Sequence, residues 1–452
     1  MKNMSEFAEP SGIDKIIFAR WIVPVIPESV VLEDHAVLVS AGVISAILPA
    51  AQVRSSSAFN AATEIIELND HILLPGLINA HGHAAMSLLR GYADDRPLMT
   101  WLQDHIWPAE AQHVCREFVA DGSRLAIAEM IRGGTTTFAD MYFFPDVSAK
   151  LAQEIGIRAQ IAFPIFDFPT IWGSGPDEYI DKGLDLYDQY RDSTLVNPVF
   201  GPHAPYTVSE PVLARIATLA EKHQCGIQIH VQETAAEITD SLNSTGLRPL
   251  DLLARAGLLS PLAQCVHTTN LNESDVTQLA DHGAHVVHCP SSNMKLASGT
   301  CAVADLELAG VNTALGTDGA ASNNSLDMFQ EMRTAALLAK LSTGDASALP
   351  APRALAMATI NGARALGMED STGSLEPGKA ADMIAVDTRH PGSQPVYDVI
   401  SQLVYATGSH QVSHSWVAGK SVLEEGELTG LQSSSIIAAA ESWRKSISQT
   451  QS

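Results

Sequence analysis

The sequence predicts an α/β protein in which a (β/α)8 barrel of the TIM type is joined to a small β-sandwich domain built from both chain ends. Between residues 73 and 374, short apolar runs alternate with longer helical stretches, which is the pattern of a parallel sheet. The flanking segments instead carry short β-branched runs separated by turn residues. We therefore expect residues 1–72 to form the first half of the sandwich, 73–374 the barrel, and 375–452 the second half with a tail.

The two end segments carry similar strand patterns. The first contains "KIIFARWIV", "HAVLVSAGVISAIL" and "ATEIIEL", and the pattern returns near the end of the chain in "ADMIAVD" and "VSHSWVAGKSVL", beside the turn "LEPGKAAD". These sets predict the two halves of one β domain. We expect the polar C-terminal tail beyond them to fray, as chain termini commonly do.

The middle of the chain contains eight candidate strands. They are "LLPGLINAH", "GTTTFADM", "IRAQIAF", "VNPVFGPH", "GIQIH", "AQCVH", "AHVVH" and "TALGTD". Helical stretches such as "REFVADGSRLAIAEMIRG" and "SEPVLARIATLAEKHQ" separate them. Eight βα units spread over roughly 300 residues suit a (β/α)8 barrel.

The composition excludes several classes of function. The 452 residues include 27 Lys and Arg against 51 Asp and Glu, a formal net charge of −24. This balance argues against nucleic acid or an anionic membrane as a partner, since both need clustered Lys and Arg. No run approaches the ~20 uncharged apolar residues of a membrane span, and "MKNMSEFAEPSG" at the N-terminus does not resemble a secretion signal.

The cysteines indicate a reducing compartment. Their number is odd, they are widely scattered, and they form no C-x-x-C pair: Cys115, Cys225, Cys265, Cys289 and Cys301. We expect reduced thiols in a cytoplasmic protein. An acidic surface with a sizeable apolar fraction is compatible with a homo-oligomer and equally with a monomer.

Most of the candidate strands end on a polar residue that a buried strand has no packing reason to contain. In a barrel, the carboxyl ends of the strands converge on one face, so residues distant in sequence meet around one pocket. The residues concerned are His81, His83, Asp140, His203, His230, His267, His288 and Asp318. This pattern is the strongest functional signal in the chain.

Four of these residues have the chemistry of a metal site. His81 and His83 are two apart in an extended segment, so both side chains point to the same side; a hydrogen-bonded histidine pair is the alternative. With His230 and Asp318 they complete a set of three histidines and one carboxylate, which suits zinc or iron(II). Asp318 could also cap the helix that follows it, or do both.

Two further residues are candidates for catalysis. Glu233 lies three residues after His230 and is either a proton carrier beside a metal-bound water or an ordinary carboxylate at a helix N-terminus. His267 either orients that water or is a core histidine bonded to the backbone. His288 either lines the pocket or caps the turn before Pro290.

Seven segments occur in a recognisable order along the chain. They are "PGLINAHGHAAMSLLRGYADD", "GTTTFADMYF", "GPHAPYTVS", "IHVQET", "CVHTTN", "CPSSNMKLASG" and "LGTDGAASNNSLDMFQEMR". Together they resemble the amidohydrolase superfamily and, within it, the 5-methylthioadenosine/S-adenosylhomocysteine deaminases. The resemblance runs from about Ile16 to Gly426.

The resemblance implies a ligand set and a substrate pocket. It implies that one zinc ion per chain, with iron(II) as the alternative, is bound by His81, His83, His230 and Asp318. It implies that the residues contacting a small purine nucleoside include Trp101, Glu110, His203, Glu233 and Asp318. Members with two metals carry a lysine at the end of the fourth strand, and "LVNPVFGPHAPY" has none, so a single metal is expected.

The reaction implied by the resemblance is hydrolytic deamination of an adenine nucleoside to the hypoxanthine nucleoside, with release of ammonia. Asp318 would take a proton from the attacking water, and Glu233 would protonate N1 of the ring. His267 would hydrogen bond the attacking oxygen and stabilise its charge.

The sequence departs from relatives that accept S-adenosylhomocysteine, which carry two arginines near the third strand. Phe163 falls at the first position and would contact the substrate instead, and "GPDEYIDKG", near the second, has no arginine. Burying an unpaired carboxylate costs several kcal/mol, whereas a methylthio group gains roughly 0.3 to 1.5 kcal/mol beside an aromatic ring. We therefore predict a preference for 5'-methylthioadenosine, with adenosine as a further candidate substrate.

Other functions are compatible with part of this evidence. A deaminase of guanine, cytosine or a pterin would use the same metal set and Glu233. A hydantoinase-type amide hydrolase is disfavoured by the missing lysine. A non-catalytic barrel scaffold would have gaps in the ligand set, and every expected ligand is present.

Overall fold

The computed structural model describes residues 12–449 and contains two eight-stranded sheets. The strands are β1 (Lys15–Ile22), β2 (Leu32–Ser40), β3 (Val43–Pro49), β4 (Glu64–Pro75), β5 (Leu77–Asn79), β6 (Thr135–Met141), β7 (Arg158–Ile165), β8 (Val196–Pro202), β9 (Ile227–Val231), β10 (Ala263–His267), β11 (His285–His288), β12 (Thr313–Leu315), β13 (Met383–Asp387), β14 (Val412–Val417), β15 (Lys420–Glu424) and β16 (Glu427–Leu428).

Helices connect the strands and cover the barrel. They are α1 (Ala50–Arg54), α2 (Ser57–Ala61), α3 (Leu98–Trp101), α4 (Trp107–His113), α5 (Arg116–Arg132), α6 (Pro145–Ile155), α7 (Pro176–Tyr190), α8 (Glu210–His223), α9 (Ala235–Thr245), α10 (Pro249–Arg255), α11 (Glu273–Asp281), α12 (Pro290–Lys295), α13 (Val303–Leu308), α14 (Ala320–Asn323), α15 (Met328–Thr343), α16 (Ala351–Met357), α17 (Ile360–Ala365), α18 (Val399–Tyr405) and α19 (Ser433–Gln449). Short 3-10 turns lie at Ala84–Leu89, Pro391–Ser393 and Ser409–Gln411, and a π-helical turn at Leu102–Ile106.

The barrel consists of β5 to β12 in sequence order, all paired in parallel. Each of the eight predicted runs overlaps one of these strands, so the predicted fold class is confirmed. The two end strands meet where Ala80 N donates to Leu315 O at 2.9 Å. In the register of β9 and β10, His267 pairs with Val231, which sets His230 and His267 side by side at the carboxyl end.

The second sheet has the order β16-β15-β14-β13-β4-β1-β2-β3. Strands β1 to β4 come from the beginning of the chain and β13 to β16 from the end, as predicted. Its apolar core includes Ile17, Val37, Leu73, Met383 and Trp416. The domain boundaries at residues 72 and 375 stay a prediction. Residues 1–11, which are the first part of the predicted 1–72 segment, and residues 450–452 lie outside the described part.

The two sheets are joined at Gly76, between β4 and β5. A Cβ atom at this position would lie 1.9 Å from Thr136 Oγ1 on the neighbouring strand. Only glycine allows the two strands to lie this close. At Gly76 the chain leaves the end sheet and enters the barrel strand that leads to His81.

The C-terminal tail is helical, so the expectation that it frays is wrong as far as Gln449. Ile436, Trp443 and Ile447 share one face of α19 because they lie seven and eleven residues apart. Trp443 packs on Phe118 of α5 with ring centroids 5.3 Å apart, and its Nε1 donates to Asp121 at 3.0 Å. Across residues 12–449, no helix has the length and apolarity that crossing a membrane requires.

Candidate metal centre and substrate cavity

Three histidines meet at the carboxyl end of the barrel. His81 and His83 follow β5, and His230 lies in β9. The Nε2 atoms of His81 and His230 are 3.2 Å apart, and each of the three residues offers a nitrogen within 4.8 Å of the others. The structure therefore brings together the three histidines that the sequence predicts as ligands.

The His-Gly-His turn is held by the neighbouring strand β6. Met141 N donates to Gly82 O at 3.0 Å, and Met141 O accepts from the ring of His83 at 2.6 Å. Asp140 Oδ1 accepts from the N–H of Ala84 at 2.7 Å. Asp140 thus fixes the loop that carries the ligands and does not line the cavity.

Each of the three rings has its Nδ1 beside a carbonyl oxygen. These oxygens are Met141 O for His83 at 2.6 Å, His203 O for His230 at 2.7 Å and Gln228 Oε1 for His81 at 2.8 Å. The Gln228 amide is oriented because its Nε2 donates to Ala80 O at 3.0 Å. Since a carbonyl oxygen only accepts, each Nδ1 carries a proton, so Nε2 is the nitrogen that each ring can offer to a metal.

This donor set fits a metal ion. The lone pairs on His81 Nε2 and His230 Nε2, 3.2 Å apart, repel each other unless a cation lies between them. Two nitrogens bound to one tetrahedral zinc ion at about 2.0–2.1 Å lie about 3.3 Å from each other. Neutral imidazoles also suit iron(II).

Asp318 lies beside two of the three histidines. Its Oδ1 is 3.2 Å from His83 Nε2 and 3.6 Å from His81 Nε2. Its Oδ2 accepts from the hydroxyls of Ser292 at 2.6 Å and Ser322 at 2.7 Å. Asp318 is not the N-cap of the helix α14 that follows. Of the two roles expected from the sequence, the structure therefore favours the one beside the histidines.

Glu233 lies in the turn between β9 and α9. Its Oε2 is 3.7 Å from His267 Nε2, and its Oε1 accepts from the hydroxyl of Ser298 at 3.3 Å. Burial and the charge of Asp318 raise the pKa of Glu233 to about 8, so that the side chain holds a proton near neutral pH. The carboxylate of Glu237 accepts from the N–H of Glu233 at 2.8 Å, which fixes the turn.

His267 ends β10 and stacks on His230, with ring centroids 5.5 Å apart. Burial lowers the pKa of His267 to about 4, so the ring is neutral. Its Nδ1 lies 3.1 Å from the amide nitrogen of Asn293. The ring is thus bonded to a side chain, unlike the backbone-bonded core histidine that the sequence left as an alternative.

A cavity of about 440 Å³ opens onto these residues. Its lining contains nearly all of the residues predicted to contact the substrate: Trp101, Glu110, His203, Glu233 and Asp318. His83, His230 and His267 also reach it, whereas His288 is buried outside it. The cavity therefore lies directly above the histidine cluster.

Phe163 is the exception. It is fully buried, packs on Phe200 with ring centroids 4.9 Å apart, and lies against Gly183 of α7, where a Cβ would approach its ring to 2.1 Å. On β7 this side chain points outward to the helix layer, so it is no longer assigned to the substrate. Phe166, just after the strand, lines the cavity and stacks on His203 at 5.0 Å.

Glu110 and Tyr142 form a buried pair at the cavity wall. The hydroxyl of Tyr142 donates to Glu110 Oε1 at 2.6 Å. Burial raises the pKa of Glu110 to about 7, although the Tyr142 hydrogen bond opposes the shift. Glu110 is therefore a polar group in a mostly apolar wall, and its carboxyl group can be protonated or ionised near neutral pH.

Several residues of the site are absent from the sequence prediction. The aromatic residues Tyr142, Phe166, Phe168 and Tyr206 line the cavity from irregular segments that have no periodicity to identify them. Gln228 could have been found, because it lies two residues before His230 in an apolar strand and must point to the same side.

Comparisons with known proteins identify the family of this chain. The model of the amidohydrolase family matches residues 72–422. A 5-methylthioadenosine/S-adenosylhomocysteine deaminase of Teredinibacter turnerae is 53% identical over 96% of this chain and 98% of its own. A 5'-deoxyadenosine deaminase of Methanosarcina mazei is 43% identical over 84% of this chain and 87% of its own.

A solved structure is similar over nearly the whole length. The crystal structure of an adenosine deaminase from Xanthomonas campestris, with bound zinc, superposes with a TM-score of 0.96 at 49% identity, covering 97% of this chain and 100% of that one. The chain is therefore an enzyme that belongs to the amidohydrolase family and groups with its 5-methylthioadenosine/S-adenosylhomocysteine deaminases.

Proposed function

We propose that this protein is a zinc-dependent deaminase of adenine nucleosides with an uncharged 5' substituent, 5'-methylthioadenosine above all. The observation that carries the proposal is the convergence of three histidine nitrogens, the Asp318 carboxylate and a buried Glu233 at the floor of one cavity. The names of the similar proteins support the nucleoside class.

One zinc ion would be held by His81, His83, His230 and Asp318. When bound there, zinc lowers the pKa of a coordinated water towards ~7. The protein's own residues would then move the protons and hold the substrate. Iron(II) is the alternative occupant.

Two carboxyl groups would share the proton transfers. Asp318 Oδ1, beside His83 and His81, would accept the proton of the water that adds to C6 of the adenine ring. Glu233, protonated near neutral pH because its pKa is raised to about 8, would donate to N1 and make C6 electrophilic. The proton held by Asp318 would then pass to the amino group, which leaves as ammonia, and the proton left on the added oxygen would return to Glu233, so that a C6 carbonyl remains.

His267 would stabilise the developing charge. Its Nε2 is 3.7 Å from Glu233 Oε2, on the side of the ring that faces the cavity. A neutral imidazole can donate one hydrogen bond from this nitrogen to the attacking oxygen.

His203 would accept a hydrogen bond from the substrate through Nε2. Its Nδ1 is 2.9 Å from Thr207 Oγ1, and because that hydroxyl already donates to Ala204 O, Nδ1 is the nitrogen that carries the proton.

The cavity lining favours an uncharged 5' group. Phe143, Phe166, Phe168 and Tyr206 line it, and neither Lys nor Arg is among the described residues that do. A homocysteine carboxylate buried there would lack a cationic partner and cost several kcal/mol. A methylthio group would gain from sulfur–aromatic contact.

The proposal is tested by ammonia release and by the ultraviolet change from adenine to hypoxanthine, using zinc-loaded protein. We expect kcat/KM to fall in the order 5'-methylthioadenosine, 5'-deoxyadenosine, adenosine, S-adenosylhomocysteine. Equal kcat/KM for the first and last would contradict the specificity argument. No turnover of any of the four, with turnover of guanine, cytosine or a pterin, would contradict the nucleoside proposal and leave the metal site in place.

A further inference from the structure

His267 differs from the three histidines of the metal set in what faces its Nδ1. In those three, the neighbour is a carbonyl oxygen. In His267 it is the side-chain nitrogen of Asn293, at 3.1 Å. A ring nitrogen that faces an N–H donor must accept, so the proton of the neutral ring belongs on the other nitrogen.

The opposite side of the ring agrees with this assignment. His267 Nε2 faces the Oε2 atom of Glu233 at 3.7 Å, an oxygen that can accept. Reversing the Asn293 amide would place a proton on Nδ1 and turn the lone pair of Nε2 towards this oxygen. At 3.7 Å, Nε2 and Oε2 face each other without a hydrogen bond, so the assignment rests on the Asn293 contact at Nδ1.

Both residues lie in constrained backbone, and the Oδ1 atom of Asn293 has no hydrogen-bond partner among the described residues. Asn293 is fully buried in α12, and its main-chain N–H donates to Cys289 O at 3.0 Å. His267 has a φ of +73° and Thr268 a φ of +45°. Left-handed backbone at a non-glycine residue costs of order 1–3 kcal/mol and persists only where the surroundings impose it, often at functional sites.

We propose that Asn293 is a positioning residue that keeps His267 in the tautomer with its proton on Nε2, so that the ring presents a hydrogen-bond donor to the cavity. This rests on the proposed role of His267 at the attacking oxygen. Asn293 is not among the residues that line the cavity, so it acts through His267. The same ring with a lone pair at Nε2 would repel that oxygen.

The decisive variant is Asn293→Asp, which keeps the shape of the side chain and replaces the donor with an acceptor. We expect kcat for 5'-methylthioadenosine to fall by about 100-fold or more, the loss typical of a removed oxyanion donor. KM should stay within about threefold, and zinc should remain at one per chain. Asn293→Ala, which lets the ring choose its tautomer, should lose less.

That order separates positioning from packing. A purely structural role makes Ala, which leaves a cavity, worse than the isosteric Asp. A milder effect of Asp than of Ala would therefore overturn the proposal. The matched control is Asn312→Asp, because Asn312 Nδ2 lies 2.9 Å from His285 Nδ1, the same pair at the amino end of β11; its kcat should be unchanged.

A double-mutant cycle removes the effect of the added negative charge. In a His267→Ala background, Asn293→Asp should have no further effect on kcat if it acts through the ring. A second fall of similar size would mean that the charge itself is responsible and would overturn the proposal. If His267→Ala alone leaves kcat unchanged, the proposed role of His267 fails instead.

A direct measurement needs no substrate. In protein labelled with 15N-histidine, His267 is identified by its absence from the long-range 1H–15N spectrum of His267→Gln. We expect its Nδ1 to be unprotonated and its Nε2 protonated, with the reverse in Asn293→Asp. A protonated Nδ1 in the unmodified protein would overturn the proposal even if every activity result agreed with it.

Discussion

One group of neighbouring histidines in the barrel and another in the end sheet differ in how their rings are held. In the barrel, His81, His83 and His230 each have Nδ1 beside a carbonyl oxygen. In the end sheet, His71 lies 6.2 Å from His414 between ring centroids, and neither of its ring nitrogens has a hydrogen-bond partner among the described residues.

The difference shows that proximity of histidines does not make a metal site. In the end sheet, His414 stacks on Trp416 with centroids 5.4 Å apart, and the rings serve as packing groups. Within residues 12–449, a group of three residues with ligand atoms close enough for one metal occurs only in the barrel. What separates the groups is the partner of Nδ1, which fixes the ring and its tautomer.

The largest effect should come from removing a ligand. His81→Ala should reduce bound zinc to near zero and abolish deamination, because the set loses one of its nitrogens. Metal analysis by mass spectrometry and ammonia release measure the two losses. The control, His414→Ala, should keep zinc at one per chain; loss of zinc there would refute the contrast between the groups.

A large effect on turnover alone is expected for Glu233→Gln. The amide has nearly the same shape but carries no transferable proton, so kcat should fall by about 100- to 10,000-fold while zinc content stays at one per chain. Steady-state kinetics on zinc-loaded protein provide the test. A kcat within threefold of the unmodified protein would rule out the proton-donor role.

An intermediate effect is expected at Gln228, which contacts one of the proposed metal ligands and not the metal itself. Gln228→Leu removes the oxygen that orients His81, and such changes typically cost about 10- to 100-fold in metal affinity. Competition with a zinc chelator measures it. The matched control is Gln160→Leu, another buried glutamine on a barrel strand, whose Nε2 donates to Leu366 O at 3.1 Å; its zinc affinity should not change.

The smallest effect should come from the end sheet. Burial lowers the pKa of His71, against the opposing charge of Asp387 and with small further contributions from His414, Arg389 and Asp70. When folding lowers the pKa of a histidine, the unfolded chain binds the proton more tightly than the folded one. The free energy of unfolding therefore decreases as pH falls below about 6.5.

His71→Phe should therefore leave activity unchanged and flatten the acid side of the pH–stability curve. Chemical unfolding at a series of pH values between 5 and 8 measures this. An unaltered slope would mean that His71 is protonated equally in both states. A change in zinc content would contradict the separation of the two groups.

The carboxyl ends of the strands could be predicted from the sequence because a parallel barrel brings them together whatever the loops do. The position of the Phe163 side chain could not be predicted. Its strand is buried on both faces, so no alternation of polar and apolar residues shows which side chains point into the barrel. Phe166, three residues later, lines the cavity instead. The role of Asn293 could not be predicted from the sequence either, because it depends on which ring nitrogen of His267 the amide contacts in the folded protein.

The order of strands in the end sheet has a consequence for synthesis of the chain. Strand β4 pairs with β13, which leaves the ribosome about 300 residues later. Until then, one edge of β4 has unpaired amide and carbonyl groups, available to any other nascent strand. The strand that leads directly into the His-Gly-His turn is thus completed only when almost the entire chain has been translated, so a prematurely terminated product lacks the partner of that edge.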